Sequence, residues 1–259
     1  MSDRHSSAGA YENEVNQNPE KLTAPHDGAV FWTNGWVDKN GQGPDARRKA
    51  LDHCAAETEA GRPCVTLEGR PEDGKYGTEL GHKYDRQDLY NNRIPEVAAL
   101  NRKERHGAHA NQATPGARKV FDHTSKSYAQ NASGRVEVFT GGAPIKDDST
   151  FARCERDALI RNEKVTEING VPREDLKRTL DDPKLTKEEK NGAINARIEQ
   201  GCATRDHRLA ARKAQAKPQS AFDRHMQAKQ DRANASMNRH HNRNKDEKRL
   251  EKSGPRKTR

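Results

Sequence analysis

Large side chains that build a core are scarce in this chain. Aromatic residues account for 5% and hydrophobic residues for 30% of its 259 positions, 34% are charged, and the mean hydropathy is −1.26. That composition excludes an evenly packed interior along the whole length and predicts a modest core with flexible flanks. No stretch approaches the roughly 20 apolar residues of a membrane-spanning helix, and Met1 to Lys21 lacks the apolar segment of a secretory signal. A soluble protein is expected, with no membrane partner, acting in the cytoplasm or delivered into a target cell's cytoplasm without such a signal. Cysteine is sparse too: Cys54, Cys64, Cys154 and Cys202 are too scattered for a CxxC metal site and too few to staple a disulfide-rich domain. Reduced thiols are the expectation. The eleven histidines form no HExxH or comparable spacing, and neither GxGxxG nor a Walker pattern surrounds Gly141-Gly142. No catalytic metal and no cofactor are expected.

An excess of charge of either sign is missing from most of the chain. The net charge of +9 is concentrated in residues 201–259, where 17 Lys and Arg face 6 Asp and Glu, leaving residues 1–200 at −2. Such a basic segment can bind polyphosphate electrostatically. Phe222 is the only aromatic residue after Phe151, however, so base stacking has no support. A solvated extension is the preferred reading, with nucleic acid or an adaptor protein as the alternatives.

Against this background the apolar patterning reads as alternating strands and helices. Ala29-Val30-Phe31-Trp32 is a short run stopped by Thr33-Asn34-Gly35, as in a buried strand that opens into a loop. Pro44-Asp45 starts a helix that Gly61 closes, and Cys64 to Glu68 reads as the next strand. A stripe through Val120, Phe121, Thr124, Tyr128 and Ala132 predicts a helix ending near Gly134, and Arg135 to Phe139 alternates as a half-buried strand. Ser149 or Thr150 can cap a helix through Glu155 to Arg161, followed by a strand over Lys164 to Ile168. The fold class expected is α/β, a short central sheet flanked by helices. The expected organisation is a flexible leader over 1–27, a catalytic domain over 28–172, a helical extension over 173–214 and a basic, disordered tail over 215–259. Residues 69–115 read as a long, partly ordered excursion.

Three segments carry residue types that suit one chemistry. Cleaving the bond between ribose and a leaving group that is already cationic, such as nicotinamide, needs little acid catalysis. It needs a carboxylate that stabilises an oxocarbenium-like ribosyl centre, a second carboxylate, and an aromatic face for the pyridinium ring. Glu155, Glu68 and Trp32 are of those types.

The segments Val30-Phe31-Trp32, Thr66-Leu67-Glu68, Val120-Phe121 through Tyr128-Ala129, and Ser149-Thr150-Phe151 through Glu155 together resemble the motifs of the ADP-ribosyl cyclase / NAD glycohydrolase family. The resemblance covers roughly residues 28–172. It implies that Trp32 stacks on nicotinamide, that Glu68 steers hydrolysis against cyclisation, and that Glu155 is the catalytic glutamate. Thr66, Ser149 and Thr150 become candidates for bonding a ribose or phosphate. Phe121 stands where the family has its second active-site tryptophan, which favours hydrolysis over cyclisation. The chain also departs from the family in lacking the many disulfides of its animal members, and Gly69-Arg70-Pro71 replaces an apolar continuation after Glu68.

The resemblance thus implies an enzyme with NAD or NADP as substrate, of the kind found in bacterial toxins or effectors, for which an immunity protein or delivery adaptor would be a partner. Each residue also has a plainer reading: Glu155 and Glu68 as surface glutamates, Trp32, Phe121 and Tyr128 as core, Ser149 and Thr150 as caps. Two other classes stay open, a nucleic-acid-binding or nuclease-type toxin and an interaction module without chemistry.

Overall fold

The run Ala29–Trp32 forms β1, apolar on both faces as strands of buried parallel sheets are. In the computed structural model, which describes residues 7–33, 45–70, 74–83 and 115–215, β1 pairs in parallel with β2 (Gly134–Phe139), and β2 with β3 (Val165–Ile168). The two-residue β4 (Val171–Pro172) turns back antiparallel and completes a four-stranded sheet in the order β1-β2-β3-β4. Trp32 pairs with Phe139, so β1 and β2 end level with each other. The stretch expected as a strand at Cys64 to Glu68 instead makes two isolated parallel bridges, Val65 to Ala29 and Thr66 to Gly77.

Helices cover both faces, and strand alternation decides what each meets. Phe31, Val136 and Val138 pack with Val120, Phe121 and Tyr128 of the helix Pro115–Asn131. Val30 and Phe139 pack on the other side against Ala46, Ala50 and Cys54 of α2 (Ala46–Glu59). As its sequence predicts, α2 starts at Asp45, whose carboxylate accepts from the Arg48 amide at 3.1 Å. The Tyr128 hydroxyl donates to the Val65 carbonyl at 2.7 Å and accepts from the Val30 amide at 3.3 Å, tying helix, strand and bridge together. Gly134 opens β2 at φ +72°, and a Cβ there would stand 2.1 Å from the Asp27 carboxylate that caps the Arg135 amide.

Part of the leader expected over 1–27 belongs to this domain. Ser7–Gln17 forms α1, Pro19–Leu22 a 3-10 turn, and Val15 and Leu22 are buried in the main core. Two apolar anchors in so polar a stretch leave no period to read. Between α2 and the Pro115–Asn131 helix lies α3 (Glu79–Lys83); numbering in chain order makes that later helix α4. After β2 come a five-residue π-helix (Phe151–Glu155) and α5 (Arg156–Arg161).

The extension over 173–214 is helical, as expected, forming α6 (Arg173–Asp181) and α7 (Lys187–Gln215). It is not an appendage: Leu176, Ile194 and Ile198 are fully buried in the same core. Buried Arg156 adds polar ties, donating to Asn195 Oδ1 at 3.0 Å and Asn191 Oδ1 at 2.6 Å. Met1–Arg208 make up one compact unit and Leu209–Arg259 a second. The basic tail after Gln215 and most of the excursion over 69–115 lie outside the described residues.

Candidate functional site

Glu68 is delivered by a turn in which two threonine side chains make hydrogen bonds to the backbone. Thr66 Oγ1 accepts from the Gly69 amide at 2.9 Å and donates to the Tyr76 carbonyl at 3.3 Å. Thr78 Oγ1 donates to the Leu67 carbonyl at 2.9 Å and caps α3 by accepting from the Gly81 amide at 3.1 Å. Gly81 approaches so closely that a Cβ would lie 1.9 Å from the Leu67 oxygen. Thr66 therefore shapes the backbone beside Glu68, and Glu68 itself is 3% exposed.

Glu155 comes from a separate segment. It ends the π-helix, in which the Arg156 amide reaches back five residues to the Phe151 carbonyl. Such widened turns recur at functional sites because the extra residue re-aims the side chains around it. Ser149 Oγ accepts from the Ala152 amide at 3.2 Å and acts as the cap, whereas Thr150 makes no capping bond. Outside, Arg153 grips both oxygens of Asp122 on α4, at 2.7 and 3.0 Å. Inside, Glu155 is 6% exposed.

The two glutamates meet electrostatically in this interior. Burial pushes the Glu155 carboxyl well above the usual carboxylate range, and the charge of Glu68 pushes it further, with Asp122 adding a smaller push. The Ser125 hydroxyl opposes the rise, but it is fully buried and reaches no partner at good hydrogen-bonding geometry, so this contact is loose. Thr33 Oγ1, one residue beyond β1, is also buried without a partner. Buried hydroxyls in that condition are uncommon in folded proteins.

Phe121 stands on the Glu155 side of the sheet, in the cluster that holds Phe31, Leu67 and Phe151. Trp32 does not. It is half-buried on the other face of β1, packed against the cluster of Val30 and Phe139. The link between the faces is Arg47, in the first turn of α2. Its guanidinium lies 5.7 Å from the centre of the Trp32 ring, and its Nη2 donates to the Gly69 carbonyl at 3.0 Å. Trp32, Thr33, Glu68 and Gly69 thus gather at the carboxyl ends of β1 and of the bridge beside it, the edge where open parallel sheets bind ligands. The Asn34-Gly35 loop after Trp32 lies outside the described residues.

An open groove of about 820 Å³ runs along the outer surfaces of α4 and α5, lined by residues such as Lys119, Lys126, Cys154, Asp157 and Arg161. It contains neither glutamate nor Trp32, and its charges are mixed. Buried carboxyls and orphaned hydroxyls outweigh groove size as markers of chemistry, which places the candidate site at the sheet edge. Burial, with Asp122 adding to it, pushes the Cys154 thiol up to about 12, the opposite of the lowered pKa that activates a cysteine nucleophile. Among the described residues no group of three or more His, Cys, Asp or Glu is placed to hold a metal ion, and no helix is long and apolar enough to cross a membrane.

Sequence reasoning missed Arg47, Thr33 and Ser125. Ser125 stands one helical turn after Phe121, so the helical period alone could have flagged it. Arg47 carried no such signal, since its partners lie far from it in the chain.

Fold and site define a small parallel-sheet α/β domain with a buried carboxyl pair at the carboxyl edge. No family model and no curated protein matches the chain. Among solved structures it is similar to Aplysia cyclase, described in complex with substrate NGD and product cGDPR, with 21% identity and a TM-score of 0.30 over 56% of this chain. The match spans 48% of the Aplysia chain.

Proposed function

We propose that the protein is an NAD(P) glycohydrolase that cleaves the bond between nicotinamide and ribose, giving nicotinamide and ADP-ribose. The observation that supports this most is the meeting of Glu68 and Glu155, from two separate motifs, as a buried carboxyl pair. Two carboxyls crowded together resist double ionisation, and a cation beside them relieves it. A pyridinium ring supplies that cation. Its arrival draws both groups toward the ionised form, and the charge then faces the ribosyl centre as the C1–N bond breaks. Nicotinamide leaves neutral, water adds at C1, and one proton is released.

Trp32 is assigned to the nicotinamide ring and Phe121 to an apolar wall. A wall without a second indole holds a folded-back adenine less firmly, so hydrolysis is favoured over cyclisation. In this reading the protein is a toxin or effector that depletes NAD, and a cell that makes it needs an immunity protein. The test is incubation of the purified protein with NAD, followed by chromatography of nicotinamide, ADP-ribose and cyclic product. NAD left intact at high protein concentration refutes the proposal.

A further inference from the structure

Glu155 ends a turn that is wider than an α-helical one. In the π-helix Phe151–Glu155 the Arg156 amide reaches back five residues to the Phe151 carbonyl. At about 3.6 residues per α-helical turn, loss of the extra residue would swing the side chains after it by roughly 100° around the axis. Glu155 would then no longer share the interior with Glu68. A widened turn has to be held by its neighbours, and arginines on either side of Glu155 do so. Arg156 is buried and donates to Asn195 and Asn191 of α7. Arg153 forks onto both oxygens of Asp122 on α4, and its Nε donates to the Asp148 carbonyl at 3.0 Å.

The two arginines differ in what they contribute. Arg156 is locked into the interior, so its loss is a folding defect. Arg153 and Asp122 keep 28% and 22% of their side chains exposed, on the wall of the outer groove. Ion pairs at such places add little to stability, yet a paired guanidinium–carboxylate fork fixes direction as well as distance. Asp122 also belongs to the surroundings of the carboxyl pair. It follows Phe121 in α4 and stands three residues before Ser125, whose hydroxyl faces Glu155. The groups around Glu155 are Glu68 from the turn, Asp122, Ser125 and Tyr128 from α4, and Cys154 from the π-helix itself. Asp122 thus adds negative charge to a site that already resists it, and the Arg153 guanidinium lies against it as counter-charge.

We propose that Asp122 and Arg153 are the positioning pair of the site: their fork holds the π-helix in its widened form and so aims the Glu155 carboxyl into the space it shares with Glu68. This rests on the glycohydrolase reading and deepens it, by naming what sets the aim of the carboxyl that faces the ribosyl centre. In this arrangement neither member touches substrate. Both act through Glu155, from the groove side of α4.

Purified variants assayed with NAD separate aim from charge. Asp122→Asn and Arg153→Gln each break the fork, so kcat falls about tenfold to a hundredfold, while KM stays within about threefold of wild type. Melting temperatures change little, because the pair is half-exposed. The pH profile tells the two variants apart. In the wild type kcat/KM rises with pH as the Glu155 carboxyl ionises. Asp122→Asn removes a charge that opposes ionisation and moves that limb to lower pH, whereas Arg153→Gln leaves Asp122 uncompensated and moves it to higher pH. Arg153→Lys keeps the charge without the planar fork, so its limb stays in place while kcat still falls. It also stands in for Arg153→Gln should that variant fail to fold. A pair with a structural role alone would lower the melting temperatures and leave kcat and the limb of the folded protein unchanged. That result overturns the proposal, as does a limb that moves the same way in Asp122→Asn and Arg153→Gln. A wild-type protein that leaves NAD intact refutes the glycohydrolase reading, and the positioning role with it. An active wild type whose kcat survives both Asp122→Asn and Arg153→Lys condemns the positioning role alone.

Discussion

A carboxyl group buried within reach of another carboxyl's charge is held there by the rest of the structure, and Glu155 is in that position. Its folded pKa lies well above the ordinary 4.5, from burial first and Glu68 second. The native state therefore binds a proton that the unfolded chain has lost between those two values. Stability contributed by protonated Glu155 is fully present below pH 4.5 and is lost as pH rises through the folded pKa. Glu155→Gln keeps the shape and removes the titration, so its melting temperature should match wild type near pH 4.5 and exceed it increasingly toward pH 8. Thermal melts across that range decide the point, and parallel curves would contradict it. The same variant should lose NAD cleavage by about a thousandfold or more if the carboxylate faces the ribosyl centre. A variant both more stable and inactive would mark Glu155 as a residue kept for chemistry. Glu155 and Glu68 were legible in the sequence because each follows a short motif. Their mutual burial was not, since neither segment records which side of a turn faces inward.

At the scale of elements, legibility followed amphipathic period. The stripe through Val120 and Tyr128 and the alternation over Arg135 to Phe139 became α4 and β2 nearly as read. The π-helix was read as ordinary helix, because its extra residue leaves no trace in a six-residue apolar pattern. Cys64 to Glu68 looked like a strand by β-branched and apolar content, but its backbone makes only isolated bridges to Ala29 and Gly77, and Thr78 Oγ1 takes the Leu67 carbonyl into a turn. That turn depends on Gly81. Gly81→Ala places a methyl 1.9 Å from the Leu67 carbonyl, and the turn must retreat. A stability loss of about 1–3 kcal/mol by denaturant unfolding is expected, with NAD turnover falling further than stability because Glu68 is the next residue. Asn169 is the other keystone. At φ +53° it accepts from the Val138 amide at 2.7 Å and donates to Val138 and Ile198 carbonyls, locking β2, β3 and α7 together. Asn169→Ala leaves those buried groups unsatisfied and should cost about 2–4 kcal/mol, read from the midpoint of urea unfolding.

Over the whole molecule, low apolar content pointed to a modest core, and the few apolar residues of α6 and α7 belong to it. A domain over 28–172 was the natural reading because α6 and α7 carry few apolar residues per turn. Those few are nonetheless fully buried: Leu176, Ile194 and Ile198 fill the same interior as Phe31 and Val138. Each such side chain contributes about 1.5–3 kcal/mol when taken out of water. The three together rival the roughly 5–15 kcal/mol by which a whole domain is stable. Arg156 compounds the effect, since its buried guanidinium keeps Asp157 but loses Asn191 and Asn195 when α7 is removed, and buried donors left unsatisfied are costly. A chain ended at Pro172 should therefore fail to melt cooperatively in calorimetry and should show no NAD turnover. A chain ended at Gln215 keeps every one of these contacts and gives up 13 of the 17 Lys and Arg of residues 201–259, so it should melt within a few degrees of the full chain and turn over NAD at the same rate. If the Gln215 chain instead loses activity while melting normally, the basic segment takes part in catalysis or substrate capture. Repeating the turnover of both chains from low to high salt separates those roles, because electrostatic capture fades with ionic strength and a catalytic contribution persists.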